Sequence, residues 1–224
     1  MFCQNCGKEL AVGSQSCAAC GTKTSTTAPA AQEFLKRGQT ASLDAWSAMK
    51  RLFPDQVGGP SAAFEALGET RAKGAGIAFA VLFVLLVTVG IYLALPKWSR
   101  PGFGDILKLA LWGLVPFASL AGAFFLARRI IRSQGSFGSD LFIAGAALIP
   151  AGLLALATGL LGIGNFEVIT VLGVFAASHT LLMLYGGCTR VSKMSDASSA
   201  VAIPVILLFT AWISKVIFAA AIRL

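Results

Sequence analysis

The chain has 224 residues, of which 56% are hydrophobic and only 12% charged. A soluble domain carries about 25% charged residues, so an ordinary soluble enzyme and a disordered chain are both excluded. Eighteen Lys and Arg against ten Asp and Glu give a net charge of +8. These charges sit mostly beside apolar runs, a placement that suits lipid and membrane topology better than nucleic acid.

Four of the five cysteines lie in the first twenty residues, as Cys3-x2-Cys6 and Cys17-x2-Cys20. Two residues between cysteines let both sulfurs reach one ion from a tight turn. The glycine after each pair, Gly7 and Gly21, tolerates the positive φ that closes such a turn. Two knuckles of this kind supply four thiolates in a tetrahedron, the geometry of a structural Zn²⁺ site with no position left for water. The spacing therefore predicts a small four-cysteine zinc ribbon over residues 1–23, with Cys3, Cys6, Cys17 and Cys20 as ligands of one structural ion. A disulfide pair and a rubredoxin-like iron site are the alternatives. About twenty residues cannot build a core, so metal binding and folding should be one event. Reduced thiolates place this end in the cytoplasm. The opening has no basic start and no apolar stretch, so no signal peptide and no cleavage are expected. The ribbon carries only Lys8 and Lys23 against Glu9, with Phe2 as its aromatic. That is no basic, aromatic-laced surface, so a protein contact is expected there and nucleic acid is not.

Residues 24–41 are small, polar and proline-containing, and read as a flexible linker. Residues 42–73 read as amphipathic pre-membrane helices. In the first, Ser42 is the expected N-cap and Pro54 the stop. Leu43, Trp46, Met49, Leu52 and Phe53 share a face beside Lys50 and Arg51. Trp46, Lys50 and Arg51 are candidate interfacial anchors, either in the headgroup layer or on a helix packed against the bundle. Residues 60–72 offer a second short helix with Phe64 and Leu67 inward, after the turn Gly58-Gly59-Pro60.

A spanning helix needs about 20 mostly apolar residues. Five stretches of the 74–224 region meet this, near 74–96, 106–127, 141–163, 168–189 and 197–222. The fold class is thus an all-α membrane protein with five transmembrane helices and a small N-terminal zinc ribbon. An odd number of spans puts the ends on opposite sides. With the N-terminus cytoplasmic, that side holds Arg71, Lys73, Arg128, Arg129, Arg132, Arg190 and Lys193, against Lys97, Arg100, Lys108 and Arg223 outside. This excess agrees with the positive-inside tendency and with the reduced ribbon. A prokaryotic cytoplasmic membrane is the expected location.

His179 is the sole histidine and falls near the middle of the fourth span. An intramembrane ionisable group is a functional candidate; a neutral histidine bonded to a neighbouring helix is the favoured expectation. Lys215, in the fifth span, can snorkel to the headgroups. The acidic residues Asp105, Asp140, Glu167 and Asp196 are all expected at interfaces, leaving no deep carboxylate for a coupled transporter. Pro116, Pro150 and Pro204 interrupt spans. Gly90-x3-Ala94 and Ala118-x3-Gly122 permit close helix contact. Cys188 reads as a buried thiol. Neither a nucleophile–base pair nor a phosphate loop is apparent, so a non-enzymatic protein is expected.

The start, MFCQNCGKEL…CAACG, resembles the N-terminal zinc ribbons of many prokaryotic membrane proteins. The region from Trp46 to Leu224 looks like the Yip family of five-span proteins, and RLFPDQVGGPSAAFEALGETRAKGAGIAF is similar to the pre-span segment of ribbon-bearing bacterial members. The resemblance implies the five-span architecture and offers no catalytic residues. Three readings follow. The first is a membrane-anchored ribbon that docks a protein or organises an assembly, with lipid around it and a homo-oligomer compatible. The second is a transporter or channel with a pathway near His179 and Lys215. The third is a lipid-binding or membrane-shaping protein.

Overall fold

A computed structural model describes residues 5–9, 17–21, 30–162 and 164–222. The chain divides into two units, Met1–Thr40 and Ala41–Leu224. The described residues form helices α1 (Ala30–Leu52), α2 (Gly59–Ala94), α3 (Phe103–Ile131), α4 (Phe137–Leu161), α5 (Phe166–Gly186) and α6 (Asp196–Ile222). A π-helical turn, Gly187–Val191, prolongs α5. No strand occurs among the described residues. Five helices are long and apolar enough to cross a membrane: Gly59–Ala94, Phe103–Ile131, Phe137–Leu161, Phe166–Val191 and Asp196–Ala220.

One boundary differs from expectation. The first helix begins at Ala30, so residues 30–41 of the expected linker are helical and Ser42 lies inside α1 rather than at its cap. The reason is local: AAQEFLKR is rich in good helix formers, and Glu33 pairs with Arg37 one turn on. The short helix expected over 60–72 is present as the first part of α2, which breaks at Gly68 (φ 69°, ψ 165°) ahead of the apolar helix of the first span. That backbone region is essentially open only to glycine.

Within the second unit, the end of α1 and the start of α2 form an antiparallel hairpin. Asp44, Ala45, Ala48 and Leu52 are the buried face of α1. Arg71 on α2 grips Asp44 with two guanidinium nitrogens, one of them Nε at 3.0 Å. Arg51 Nη1 donates to the carbonyl of Ala62 at 3.2 Å. The connecting turn is closed by Asp55, whose Oδ1 accepts from the backbone N–H of Val57 (3.1 Å) and Gly58 (2.7 Å).

The centre of the bundle is α4, with 56% of its apolar window buried. It runs parallel to α2, and the two backbones nearly touch. A Cβ at Gly76 would lie 2.6 Å from the carbonyl oxygen of Leu141; one at Gly145, 2.4 Å from that of Gly76. One at Gly90 would meet Ala155 O at 2.3 Å, and one at Gly159 would meet Gly90 O at 2.2 Å. Gly138, Gly145, Gly152 and Gly159 recur every seven residues, which keeps one seam of α4 turned to the same neighbour. Gly122, by contrast, has nothing within 4 Å of its Cβ position. Phe142 sits between Phe64 and Phe79, with ring centroids at 5.9 and 6.1 Å. Helix α5 packs antiparallel to α4, its Thr180 hydroxyl donating to Ala147 O at 3.0 Å. Helix α6 lies along α3, with Trp112 and Phe218 in ring contact at 6.1 Å.

Candidate functional site

In the first unit the Sγ atoms of Cys6, Cys17 and Cys20 all lie within 4.8 Å of one another. Cys6 and Cys17 are 3.6 Å apart. Four sulfurs at about 2.3 Å from one zinc stand about 3.8 Å from each other, so this separation suits co-ligands; it is too long for a disulfide bond. The local fold explains the convergence. Gly7 and Gly21 both take φ 69°, and the N–H of Gly21 donates to Cys17 O at 2.8 Å. Both features belong to a knuckle turn. The Cys17 thiol is held below its ordinary pKa, first by the backbone N–H of Ala19, then by that of Cys20, with Cys6 assisting and burial opposing. Donors aimed at sulfur favour the thiolate, the form that ligates metal. Cys3, the fourth expected ligand, lies outside the described residues. The three cysteines present can bind a metal ion.

His179 sits on α5, and its hydrogen-bond partner is a turn residue rather than a neighbouring helix. Gln56, between α1 and α2, places Nε2 2.8 Å from His179 Nε2. The same Gln56 nitrogen is 2.7 Å from the carbonyl oxygen of Phe53, to which it donates. That second bond fixes which end of the amide is nitrogen, so His179 Nε2 must accept. The ring lies against Phe175 at 4.4 Å and Phe53 at 6.4 Å, on the wall of a cavity of about 180 Å³ between α4 and α5.

Lys215 is exposed on α6, and the structure does not bring it to His179. The Tyr185 hydroxyl donates to Asp196 at 3.0 Å, which sets the α5–α6 register. From there His179 is six residues back and Lys215 nineteen on, a difference of roughly 20 Å along the bundle at 1.5 Å per residue. The apolar face expected of α1 is divided: Leu52 is buried, whereas Leu43 is exposed and Trp46 is 59% exposed. Lys50 Nζ lies 5.7 Å from the Trp46 ring centre, and Arg51 is turned to the Ala62 carbonyl.

Several groups were not foreseen. Asp140, expected at an interface, is fully buried at 0% exposure and salt-bridged to Arg128, itself 11% exposed. Arg128 Nε and Nη2 reach Asp140 Oδ2 at 3.0 and 2.9 Å. A signal existed: Arg128 falls in the last turn of α3 and Asp140 in the first turn of α4, where each also complements its helix dipole. Asp44 and Gln56 carried no such signal. The Asp55 carboxyl is held below the usual carboxylate range, first by the Gly58 N–H, with Val57 and the Arg190 charge assisting and burial opposing.

Fold and site together define a multi-pass, all-helical integral membrane protein with a cysteine cluster near its N-terminus that is compatible with a small zinc ribbon. No family model, no curated protein and no solved structure matches the chain.

Proposed function

We propose that this protein is a non-enzymatic membrane anchor that presents a zinc ribbon on the cytoplasmic side, where it docks a protein partner or organises an assembly. The convergence of the Cys6, Cys17 and Cys20 sulfurs within 4.8 Å is the observation that carries this reading. One structural zinc, completed by Cys3, holds the ribbon. Its closed set of four thiolates leaves no open position for reaction, which suits a binding module. The basic excess on one set of flanks supports an N-terminus in the cytoplasm and a C-terminus opposite. Kinship with the Yip family is part of the proposal and rests on residues 51–79.

The test is affinity capture from solubilised membranes with intact protein and with Cys17→Ser, each labelled quantitatively. Partners present with intact protein and lost with Cys17→Ser are the expected result. Identical partner sets would count against a docking role. Labelling of cysteines introduced after Gly102 and after Gly164 by a membrane-impermeant maleimide tests the orientation; both should react from outside intact cells.

A further inference from the structure

We propose that the hairpin made by the end of α1 and the start of α2 is sunk into one leaflet of the bilayer. Its outward stripe, Leu43, Trp46, Lys50 and Phe53, is an interaction surface for the phospholipids of that leaflet, with acyl chains on the apolar groups and a headgroup phosphate on Lys50. The inference goes beyond the docking role and does not rest on it.

The depth of the hairpin follows from what it touches. The Ala41 Cβ lies 3.5 Å from the Cβ position of Gly74, where the uncharged run of the first span begins. From there α1 leads to Phe53, whose N–H still donates to Met49 O at 3.1 Å. The Phe53 ring stands 6.4 Å from that of His179 and borders Pro150 and Leu153 of α4. His179 is twelve residues from Val191, the end of its span, or about 18 Å at 1.5 Å per residue. Pro150 is thirteen residues into α4, about 20 Å from its start. One leaflet contributes about 15 Å of a hydrocarbon core roughly 30 Å thick, so both contacts belong to its depths and Phe53 reaches hydrocarbon. Asp55 stays at the edge: a Cβ on Gly58 would meet both its carboxylate and the Arg190 guanidinium, next to Val191.

The exposed stripe matches these surroundings. Ala45, Ala48 and Leu52 are buried, whereas Leu43, Trp46, Lys50 and Phe53 follow at steps of three and four residues on the other side of the helix and are exposed. Helical side chains lean toward the N-terminus, which here is the direction of the leaflet's surface. Lys50 Nζ is found back over the Trp46 ring, 5.7 Å from its centre. That is the posture of a snorkelling lysine beside an interfacial tryptophan. No carboxylate among the described residues pairs with Lys50, so a lipid phosphate is its counter-charge. The polar groups carried down with the hairpin are satisfied: Arg51 by Ala62 O, Gln56 by Phe53 O and His179. A soluble partner would have to enter the leaflet to cover Phe53.

The experiment uses the full-length chain in vesicles of phosphatidylcholine and phosphatidylglycerol, brominated on the acyl chains either near the glycerol or near the chain end. Trp46 fluorescence is read as the difference between the native chain and Trp46→Phe. Bromines near the glycerol should quench it more than those at the chain end, and aqueous iodide should quench it little. Phe53→Trp, added to Trp46→Phe, should show the reverse order of bromines. Lys50→Glu sets a negative charge among anionic headgroups and should raise iodide quenching of Trp46, whereas Lys50→Arg should leave it unchanged. In the native chain, with no substitution, a phosphatidylcholine carrying a diazirine near its glycerol should leave adducts between Leu43 and Lys50. Iodide quenching of Trp46 without bromine quenching would put the stripe in water. Protection from both would put protein over it, a partner or a second copy. Either result, or an absence of adducts on that segment, would overturn the proposal, and indifference to Lys50→Glu would overturn the phosphate contact.

Discussion

The near-contact of α2 and α4 makes a quantitative prediction with an internal control. Replacing Gly159 by alanine puts a methyl carbon 2.2 Å from the carbonyl oxygen of Gly90. Ordinary carbon–oxygen contacts across helix interfaces are about 3.3–3.6 Å, so the axes must separate by about 1 Å. The obstacle is backbone on a straight helix and cannot rotate away. A gap of that size forfeits a quarter to a half of the local dispersion energy, and overpacking of this kind costs about 1–3 kcal/mol. Alanine regains up to about 1 kcal/mol through helix propensity, so Gly159→Ala should destabilise by roughly 1–2 kcal/mol. Gly145→Ala, 2.4 Å from Gly76 O, should behave alike. Gly122→Ala meets nothing within 4 Å and should be neutral or stabilising by up to about 1 kcal/mol. Because Gly145 and Gly159 push the same pair apart, the double substitution should cost less than the sum. Reversible unfolding in mixed micelles, followed by tryptophan fluorescence, measures all four variants. If Gly159→Ala and Gly122→Ala unfold at the same point, the close-packed seam is refuted.

Three further outcomes are expected. Asp140→Ala strands the buried Arg128 charge and should destabilise by about 3–5 kcal/mol, whereas the paired replacement Arg128→Met/Asp140→Leu should recover most of that; the same unfolding assay decides. Elemental analysis of purified protein should find about one zinc per chain, lost in Cys17→Ser and kept in Cys188→Ser, whose thiol is buried among the helices of the second unit. The lowered pKa of Asp55 means that its carboxylate favours the folded turn at neutral pH. That contribution is present above the ordinary carboxylate value of about 4 and disappears as pH falls through the lower folded value. On that side the Gly58 amide should lose protection relative to its intrinsic exchange rate, and Asp55→Asn should abolish the difference.

The spans were legible because twenty apolar residues have few other uses, and their ends fall near those expected. Their partners were less so. The heptad Gly138, Gly145, Gly152, Gly159 was visible in the sequence, yet attention to four-residue spacing selected Gly90, which is in the seam, and Gly122, which is not. A seven-residue period is the stronger mark of two parallel helices held in register. The start of α1 was obscured because Ala, Gln and Thr serve both linkers and helices. Gln56 and His179 are 123 positions apart, and no local pattern couples them. Only the hairpin that folds the α1–α2 turn against α5 brings the amide to the ring.

The bonded polar pairs of the second unit are distributed unevenly, and the unevenness bears on function. Asp44–Arg71, Arg128–Asp140 and Tyr185–Asp196 all join elements at one end of the bundle, where α3 and α5 finish and α4 and α6 begin. The Arg190 charge also acts on Asp55 there. At the other end the ion pair among described residues is the exposed Lys108–Asp105, three residues apart on one helix. Such local exposed pairs contribute little, whereas a buried pair between helices fixes their relative position and is costly to break. The end that is tied together is also the end with the basic excess. Buried pairs fix the helices relative to one another at that end, while the far end is held by apolar packing. A coupled transport pathway would instead call for ionisable groups along the depth; beyond the level of His179 the buried polar atoms of α6 are the hydroxyls of Thr210 and Ser214, and Lys215 is roughly 20 Å further on along the bundle axis.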